Sequence, residues 1–386
     1  MKILYGVQAT GQGHISRARA MARALSNKDV QVQWLFSGRP RDRLFDMQPF
    51  GDFMHRRGLS FATRAGRVSY TKTITSQNLF AAIAEIAQLE VSQYDLIVSD
   101  YEPVSAWAGR LRGVRSIGIG HQYAFGQNTP MTGDAWHSRM LLRHFAPVDE
   151  ALGLHWHPFS SNILPPLLDL PAQQGEGENH VLVYLPFEDQ DRVTRWLRQF
   201  KQHRFIQFSA DVDDIRQGNV QRRRANIQGF KQALWRCRGV ICNSGFELIS
   251  ECLQWGKPVL TRPLAGQMEQ LSNALALENL AMATTMTELD SANTARWLDD
   301  TPRPPAVNYA DVAKVLAHWL ARGASTPIPE LGRQLWHPTQ FGRLVAPELG
   351  GAEHGDNPTL EQLPQGSRSP VPAAAKRLQH GWQARA

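Results

Sequence analysis

The sequence has only three cysteines and no apolar run long enough to cross a membrane. Cys237, Cys242 and Cys252 form an odd set without a flanking pair of histidines, which argues against a disulfide framework and against a zinc site. A membrane-spanning helix needs about 20 consecutive apolar residues, and the apolar run of the N-terminal MKILYGV is too short for a signal peptide. These absences exclude secreted disulfide-rich proteins and membrane-spanning proteins, and they predict a reducing, cytoplasmic location.

A nucleic-acid-binding signature is also missing, although the chain carries a formal net charge of +7. The basic residues occur in short, separate clusters, and no helix-turn-helix, zinc-finger or RNP-like pattern accompanies them. Scattered positive charge suits an anionic small molecule or an acidic membrane surface equally well. We therefore expect no nucleic-acid partner and leave peripheral contact with the inner membrane open.

The rest of the sequence predicts an α/β protein of two domains. Its 386 residues exceed one ordinary core, and apolar strand-like runs alternate with helical patterns in two separate series. This alternation predicts two Rossmann-like domains, each on a doubly wound parallel sheet, that face a central cleft. The predicted segments are an N-terminal domain, a linker rich in Pro and Gly, a second domain and a low-complexity tail: 1–160, 161–178, 179–324 and 325–386.

Three segments show no clear periodicity. The tail from Ser325 contains 8 of the 23 prolines, and we expect most of it to be disordered because few apolar side chains offset the entropy of ordering. A polar stretch around 210–226 is predicted to be a loop. The stretch 51–75, which is basic and rich in Gly, Ser and Thr, is either a plain surface loop or a loop that binds an acceptor.

A glycine loop follows the first predicted strand. Gly11 and Gly13 belong to the sequence TGQGH, which precedes a helix predicted from Ile15. Glycines at this place let a ligand approach a helix N-terminus, where free N–H groups favour anions. The dinucleotide-binding fingerprint is incomplete, because Ser16 stands at the third glycine position and no acidic residue ends the second strand. An NAD site is not expected, and an NADP site would depend on Arg39.

Two side chains near this loop are candidates for acid–base chemistry. His14 ends the glycine loop, and a neutral imidazole can accept a proton near pH 7. Asp100 ends a later predicted strand, at the same edge of the predicted sheet. The alternatives are local packing or capping for His14, and a solvated or helix-capping role for Asp100.

The stretch 239–273 predicts a second ligand site. An apolar strand is followed by S-G-F-E at Ser244–Glu247, which has the form of a capping box, and then by a helix, a second strand and a polar loop. A βαβ unit of this kind binds ligands beyond the carboxyl ends of its strands. Loops rich in Ser, Gly, Glu, Gln and Asn suit a phosphorylated ligand with many hydroxyl groups.

The motifs G-x-G-H, N-S-G-F-x-x-x-S-E, G-K-P and Q-x-E-Q-x-x-N-A resemble those of the GT-B glycosyltransferases. They resemble in particular the branch that contains the lipid-II-forming N-acetylglucosaminyltransferase and related bacterial and archaeal glycosyltransferase-like proteins. At the level of architecture the resemblance covers residues 1–320, and it is sharp over 9–19 and 239–275. It implies that 1–160 is the acceptor domain and that 179–324 is the nucleotide-sugar donor domain. It implies the GT-B fold and an inverting transfer of a sugar, such as an N-acetylhexosamine, from a UDP-sugar to an acceptor hydroxyl, without a cofactor or an obligatory metal.

The resemblance also implies roles for individual residues. His14 matches a loop histidine that acts as the general base or contacts phosphate or acceptor, with Asp100 as the fallback base. The donor-binding positions that it implies are Gly11, Gly13, Ile227, Ser244, Gly245, Phe246, Glu251, Gln267, Glu269, Gln270 and Asn273. Glu251 would accept both ribose hydroxyls, since a carboxylate offers two acceptors. Glu247 is explained by the capping box alone, and Asn273 either supports the sugar loop or caps the next helix.

Several alternatives remain open from the sequence. A UDP-sugar 2-epimerase uses the same fold, and a non-catalytic sugar-nucleotide-binding protein would keep Glu251 and Gln270 without a competent base. The acceptor of a transferase could be a lipid-linked intermediate, a cell-envelope polysaccharide or a small metabolite. Two D-x-D patterns, Asp189–Asp191 and Asp211–Asp213, lie where Asp is common as a helix cap, so no metal site is expected.

Overall fold

The fold contains two seven-stranded sheets with helices on their faces. It is known from a computed structural model, which describes residues 1–59, 63–64, 67–68, 79–132, 136–170, 177–300, 304 and 306–341. The predicted pair of doubly wound, mainly parallel sheets is confirmed.

The elements are numbered here in chain order. The strands are β1 (Lys2–Gln8), β2 (Gln31–Ser37), β3 (Met54–His55), β4 (Thr63–Arg64), β5 (Arg67–Val68), β6 (Leu96–Asp100), β7 (Ser116–Gly120), β8 (Glu150–Leu154), β9 (Ile163–Leu164), β10 (His180–Tyr184), β11 (Arg204–Ser209), β12 (Ile215–Gln217), β13 (Val220–Arg224), β14 (Gly239–Asn243), β15 (Val259–Arg262), β16 (Thr284–Thr285), β17 (Val307–Asn308) and β18 (Gln340–Phe341). The helices are α1 (Gln12–Leu25), α2 (Leu79–Gln88), α3 (Pro103–Arg112), α4 (Trp136–Phe145), α5 (Gln190–Leu197), α6 (Ile227–Arg236), α7 (Phe246–Gln254), α8 (Met268–Asn279), α9 (Ser291–Asp299), α10 (Val312–Ala321) and α11 (Ile328–Trp336).

The first sheet has the strand order β3-β2-β1-β6-β7-β8-β9, and all its pairs are parallel. Its central strands are continuous apolar runs, as expected for parallel strands that helices cover on both faces; Ile3, Leu4 and Val7 of β1 are fully buried. The winding reverses between β1 and β6. In open α/β sheets such a switch point forms the ligand crevice, beyond the carboxyl ends of the strands.

The second sheet repeats this design with the order β12-β13-β11-β10-β14-β15-β16. Its pairs are parallel except β12 with β13, which are antiparallel. Its switch point lies between β10 and β14. The carboxyl ends of β1 and β6 and of β10 and β14 therefore open toward the cleft between the two halves.

Two segments predicted to be irregular contain strands. The polar stretch 210–226 holds the hairpin β12–β13, because Val220 is fully buried and pairs with Phe205 of β11. The predicted linker contains β9, whose Ile163 is fully buried and adds a seventh strand to the first sheet by pairing with β8. One buried apolar position in β13 and two in β9 are enough to fix these short strands against an existing edge.

Most of the tail from Ser325 is predicted to be disordered, and its first part contains helix α11 and strand β18. Helix α11 packs on β9, with Leu331, Leu335 and Trp336 buried on one face. The indole Nε1 of Trp336 donates to the carbonyl oxygen of Ile163 at 2.7 Å. The rest of the predicted tail, 342–386, lies outside the described residues, as does part of the predicted acceptor loop 51–75.

The two halves share one core and several polar contacts. Helix α10, which follows the second sheet, packs against α1 of the first half, and the Trp156 indole donates to Ser250 Oγ at 2.8 Å. The three cysteines are buried and unpaired. Among the described helices, none combines the length and the apolar character that a membrane crossing requires.

Candidate active site

A cleft opens where the carboxyl ends of the two sheets face each other. Its volume is about 700 Å³, counting the part that is open to solvent. The wall from the first half includes Gln12, Gly13 and Ser16 at the start of α1. The wall from the second half includes Ile227 and Glu251, which the sequence predicts to bind a donor.

The structure brings His14 and Asp100 into direct contact at this edge. Helix α1 begins at Gln12, so His14 lies in the first helical turn and not in the preceding loop. Its Nδ1 is 2.9 Å from Asp100 Oδ1, and Asp100 is the last residue of β6 and is buried. The imidazole is 13% exposed, so the ring is held by a buried carboxylate while it keeps access to the cleft.

Arg17, which the sequence analysis did not select, joins this pair to the other half. Its Nε and Nη2 donate to Asp100 Oδ2 and Oδ1 at 3.0 and 2.7 Å. Its Nη1 donates to Glu247 Oε1 on α7. The position of Arg17 in the sequence could have indicated its role. It lies among the apolar residues of α1 that face the core, where an arginine without a partner would be too costly to bury.

Burial and pairing act in opposite directions on these groups. Burial alone would raise the pKa of the Asp100 carboxyl, but Arg17 and His14 lower it overall. Burial alone would lower the pKa of the Arg17 guanidinium, but Asp100 and Glu247 raise it overall. Burial raises the pKa of Glu247 to about 7 against the opposing effect of Arg17. Asp100 is therefore an ionised partner for His14, whereas Glu247 titrates near neutral pH.

The predicted capping box at the start of α7 is wrong. The helix begins at Phe246 with Gly245 as its N-cap, so Ser244 lies one residue too early to cap it. The buried Ser244 hydroxyl instead pairs with Thr261 Oγ1 at 2.9 Å. The capping box predicts a purely local role for Glu247, but Glu247 forms an ion pair with Arg17 of the first half.

Gly13 has a packing role in the approach of the two halves. A Cβ atom at Gly13 would lie 2.7 Å from Glu247 Cγ, which is closer than side chains pack. Gly11 is the N-cap residue of α1 in an extended conformation, with φ −107°. Neither Gly11 nor Gly13 has a positive φ. Glycine is needed at these positions because it is small, and not because the backbone is left-handed.

The start of α7 presents backbone N–H groups at the second wall. Gly245 is the N-cap residue of α7, and it has no side chain that could accept from the N–H groups of the first turn. The Phe246 ring is buried and stacks on the His121 ring, with 4.0 Å between centroids and 6° between planes. Ser244 and Phe246 therefore have their side chains engaged elsewhere, and what they can offer a ligand is backbone N–H.

Glu251 lies one turn further along α7 and is buried beside a lysine. Lys231 Nζ, from α6, donates to Glu251 Oε1. Burial raises the pKa of the Glu251 carboxyl, and Lys231 opposes that effect. Ile227 is the first residue of α6 and lines the same cleft. Lys231 was missed, although its spacing of four residues from Ile227 places both on one helical face.

The loop before α8 contributes a third group of predicted residues. Gln267 occupies the N-cap position of α8 without a capping hydrogen bond. Glu269 Oε2 accepts from Gln122 Nε2 at 3.1 Å, which links the second half to the residue that follows His121. Gln270 is buried, and its Oε1 accepts from the Leu264 N–H at 3.0 Å.

Asn273 lies inside α8 and connects the two halves. Its Oδ1 is 2.7 Å from His121 Nε2, and its Nδ2 donates to the carbonyl oxygen of Ser244 at 3.0 Å. Asn273 therefore holds the start of α7 against the first half and does not cap α8. The contact between His121 and Asn273 joins residues 152 positions apart and cannot be predicted from spacing.

The aspartates of the D-x-D patterns are placed as surface groups. Asp189 is the N-cap of α5 and accepts from the Arg192 N–H at 2.6 Å. Asp191 pairs with Arg222 at 2.8 Å. Within the part of the chain that the structure describes, no group of three His, Cys, Asp or Glu side chains is arranged to hold a metal ion.

A comparison of the chain with known proteins finds a matching family. A sequence model of the family described as Glycosyl transferase family 1 matches residues 1–302. No curated protein matches the chain.

Several solved structures share the fold at low sequence identity. The glycotransferase of kitacinnamycin has 16% identity and a TM-score of 0.54, over 86% of this chain and 99% of that chain. Arabidopsis thaliana UGT89C1, complexed with UDP, has 15% identity and a TM-score of 0.53, over 85% of this chain and 95% of that chain. The Streptomyces sp. SF2575 glycosyltransferase SsfS6, complexed with thymidine diphosphate, has 15% identity and a TM-score of 0.52, over 86% of this chain and 99% of that chain.

Proposed function

The chain belongs to glycosyl transferase family 1, and from this premise we propose that it transfers a sugar from a UDP-sugar to an acceptor hydroxyl with inversion, using His14 as the general base. The predicted membership of the GT-B glycosyltransferases is confirmed by this match and by the fold. The particular branch within that superfamily remains a prediction.

One observation carries this proposal. The His14–Asp100 pair of the first half adjoins Gly13, which lines the cleft, and Glu247 in the first turn of α7 lines the same cleft from the second half. A proton acceptor and an anion-binding helix end on opposite walls are the two groups that an inverting transfer from a nucleoside diphosphate needs.

The proton transfer follows from the way His14 is held. When Nδ1–H donates to Asp100 Oδ1, the other ring nitrogen, Nε2, carries a lone pair, and the Gln122 amide that lies 3.5 Å from it gives way to the acceptor hydroxyl. Nε2 takes the proton of the acceptor hydroxyl while the hydroxyl oxygen attacks the anomeric carbon of the donor sugar. The bond from that carbon to the β-phosphate oxygen breaks, and its electron pair leaves with the nucleoside diphosphate. Asp100 stabilises the imidazolium that forms.

The leaving group is stabilised by the protein itself. The N–H groups of the first turn of α7 and the helix dipole favour the negative charge that develops on the diphosphate. We therefore propose that the transfer is metal-independent. A chelator such as EDTA should leave the turnover unchanged, and a loss of turnover that Mg²⁺ restores would contradict this part of the proposal.

The donor is proposed to lie along the second wall. Ile227 at the start of α6 would seat the base, and Glu251 would accept a ribose hydroxyl. Glu251 Oε1 already accepts from Lys231, so the charge of the carboxylate is balanced before a donor binds. Glu269 and Gln270 are proposed to contact the sugar, for which an N-acetylhexosamine is the first candidate.

The acceptor is proposed to enter from the first half, where His14 and Gln122 lie. Gln122 Nε2 is 3.5 Å from His14 Nε2, and its Oε1 has no hydrogen-bond partner among the described residues. A lipid-linked acceptor and peripheral contact with the inner membrane are supported by the exposed apolar face of α2, where Leu79, Phe80 and Ile83 are 58%, 86% and 55% exposed. Sedimentation with anionic lipid vesicles, compared between the wild type and Phe80→Ser, tests that contact.

A donor panel tests the proposed reaction. Purified full-length protein is mixed with UDP-N-acetylglucosamine, UDP-glucose, a thymidine-diphosphate sugar and GDP-mannose, and donor hydrolysis, transfer and melting temperature are measured. UDP-sugars should raise the melting temperature at millimolar concentration and should be hydrolysed or transferred. Binding without turnover would favour the non-catalytic alternative, and release of an epimerised sugar would favour the epimerase.

Two variants separate donor binding from chemistry. His14→Ala should leave UDP affinity within about twofold and lower turnover about 10²–10⁴-fold. Glu251→Ala should weaken UDP binding, which isothermal titration calorimetry measures. An equal loss of UDP binding in both variants would remove His14 from the role of base.

A further inference from the structure

Arg17 is the most heavily engaged charged group at the cleft, and the proposed reaction assigns it no step. It is 3% exposed and lies three residues after His14 on α1. Its guanidinium donates to both Asp100 oxygens and, through Nη1, to Glu247 of the second half. Its Nη2 is also 2.8 Å from His14 Nδ1. One cation therefore touches the candidate base, the partner of that base and the opposite half of the molecule.

The nitrogen Nδ1 of His14 has two competing neighbours. Asp100 Oδ1 lies at 2.9 Å and can only accept, whereas Arg17 Nη2 lies at 2.8 Å and can only donate. If Nδ1 carries the proton, it donates to Asp100 and leaves Nε2 able to act as a base. If Nδ1 is bare, it accepts from Arg17, Nε2 carries the proton, and the ring cannot take one from an acceptor. The position of the guanidinium therefore selects between a competent and an incompetent tautomer.

Glu247 determines which way the guanidinium is drawn. The carboxylate accepts from Nη1, the nitrogen that does not contact Asp100, and so holds the group by its far end. With Nε and Nη2 committed to Asp100 and Nη1 committed to Glu247, the guanidinium lies across Asp100 and is not aimed at the imidazole alone. This restraint exists only when α7 of the second half is in contact with α1, because Glu247 is supplied by α7.

On the proposed function, in which His14 is the base, we propose that Arg17 is a positioning residue: drawn toward Glu247 and held across Asp100, it leaves Asp100 as the acceptor for His14 Nδ1–H. Competence of the base then depends on contact between the two halves. Arg17 itself does not touch the substrate.

The charged and titratable groups around His14 come from five elements. Asp100 comes from β6 and Arg17 from α1, and the buried hydroxyl of Tyr5 on β1 is near both, with its pKa raised by burial. Glu247 comes from α7 and reaches His14 only through Arg17. Glu269 comes from α8 and reaches it through the neutral amide of Gln122. Removing Arg17 therefore leaves carboxylates as the charged neighbours of the imidazole. Removing the charge of Glu247 leaves Asp100 as the carboxylate that balances the charge of Arg17.

The first measurement needs no activity. Nitrogen-15 NMR of histidine-labelled full-length protein, with the His14 signals assigned by comparison with His14→Gln, reports which ring nitrogen carries the proton. The wild type at pH 8 should show the Nδ1–H tautomer, and so should Arg17→Met, in which Asp100 is the remaining neighbour of Nδ1. Glu247→Gln weakens the hold on the guanidinium and should show more of the Nε2–H tautomer. A wild-type ring protonated at Nε2, or a tautomer ratio that Glu247→Gln does not change, would overturn the proposal.

The second measurement separates kcat from KM at pH 8. Glu247→Gln should lower kcat and leave the donor KM within about twofold, because the guanidinium is then free to donate to His14 Nδ1. Arg17→Lys keeps the charge but loses the planar contacts, so it should lower kcat about 10-fold or more and leave the donor KM within about twofold. A change in donor KM alone would make Arg17 a donor-binding residue and overturn the positioning role.

Folding and the proposed function are controlled separately. If Arg17→Met does not fold, by circular dichroism and thermal melting, Glu247→Gln still decides, because it leaves Asp100 paired; a tautomer ratio and a kcat that Glu247→Gln leaves unchanged overturn the proposal. If His14→Ala retains wild-type turnover, His14 is not the base and the proposed function fails, whichever tautomer NMR reports. The two failures thus have different signatures.

Discussion

The two walls of the cleft are built by different means. The wall of the first half relies on charged side chains, with His14, Asp100 and Arg17 in one buried network. The wall of the second half presents backbone at the start of α7, where the Ser244 hydroxyl and the Phe246 ring are used for packing, and places the Lys231–Glu251 pair one turn further on. A site of side chains is sensitive to single charges, whereas a site of backbone groups is sensitive to the helix that presents them.

Asp100→Asn should break the first wall and have the largest effect. The amide loses the charge that holds the Nδ1–H tautomer of His14 and that pairs with Arg17, so turnover should fall about 10²–10⁴-fold. Donor affinity should stay within about twofold, because the second wall is intact. Steady-state kinetics and calorimetry with UDP measure the two quantities.

The matched control for that prediction is Asp95→Asn. Asp95 is exposed just before β6 and accepts from the Lys2 N–H at 2.7 Å, away from the cleft. It should leave turnover near the wild-type value. A loss of UDP affinity in Asp100→Asn as large as its loss of turnover would show that the walls do not divide the work as described.

Glu247→Gln tests the ion pair that joins the walls, through the pH dependence of stability. The folded-state pKa of Glu247 is raised to about 7 by burial, so protonated Glu247 contributes stability that is complete below about pH 4.5 and is lost as pH rises through about 7. Glu247→Gln should therefore raise the free energy of unfolding by about 1–3 kcal/mol at pH 8 and change it little at pH 4.5. Urea unfolding at the two pH values measures this difference.

Glu288→Gln is the control for Glu247→Gln, because it removes the same charge at an exposed site. It should change the free energy of unfolding little at either pH. Destabilisation of Glu247→Gln at pH 8 would mean that the attraction of Arg17 outweighs the burial of the carboxylate, which is the opposite of the stated balance.

Ser244→Ala should have the smallest effect and sharpens the assignment of backbone binding to the second wall. Loss of the hydroxyl pair with Thr261 should cost about 1 kcal/mol of stability. Donor affinity should not change, because the proposed contact is backbone N–H. Thermal melting and UDP titration check both, with Thr261→Val as the partner variant; a tenfold weaker UDP affinity in Ser244→Ala would place the hydroxyl on the phosphate.

Local pattern predicted much of the second half and less of the first. Strand β14, helix α7 and strand β15 follow directly from apolar runs separated by polar loops, and the position of Glu251 follows from helical spacing. The start of α7 was misplaced by a single residue, and that shift converted an expected cap into an ion pair for Glu247. A one-residue error is ordinary for helix ends, but here it changes the interpretation of a site residue.

Some of the site and of the fold could not be read from the sequence. Arg17 and Glu247 are 230 residues apart in the chain, and Asn273 meets His121 across 152 residues. Helix α11 and strand β9 stabilise each other, so neither shows a strong pattern alone. The same holds for hairpin β12–β13, which exists because β11 offers an edge.

The sequence by itself determined the two series of strands and helices, the glycine loop before His14 and the motifs of 239–273, because periodicity, turn chemistry and motif spacing are local. The tertiary structure alone decided that His14 and Asp100 form a pair, that Arg17 ties this pair to Glu247, and that Lys231 meets Glu251. Those contacts depend on the packing of one half against the other and on the cost of burying charge without a partner. Such terms involve residues far apart in the chain, so no local pattern records them.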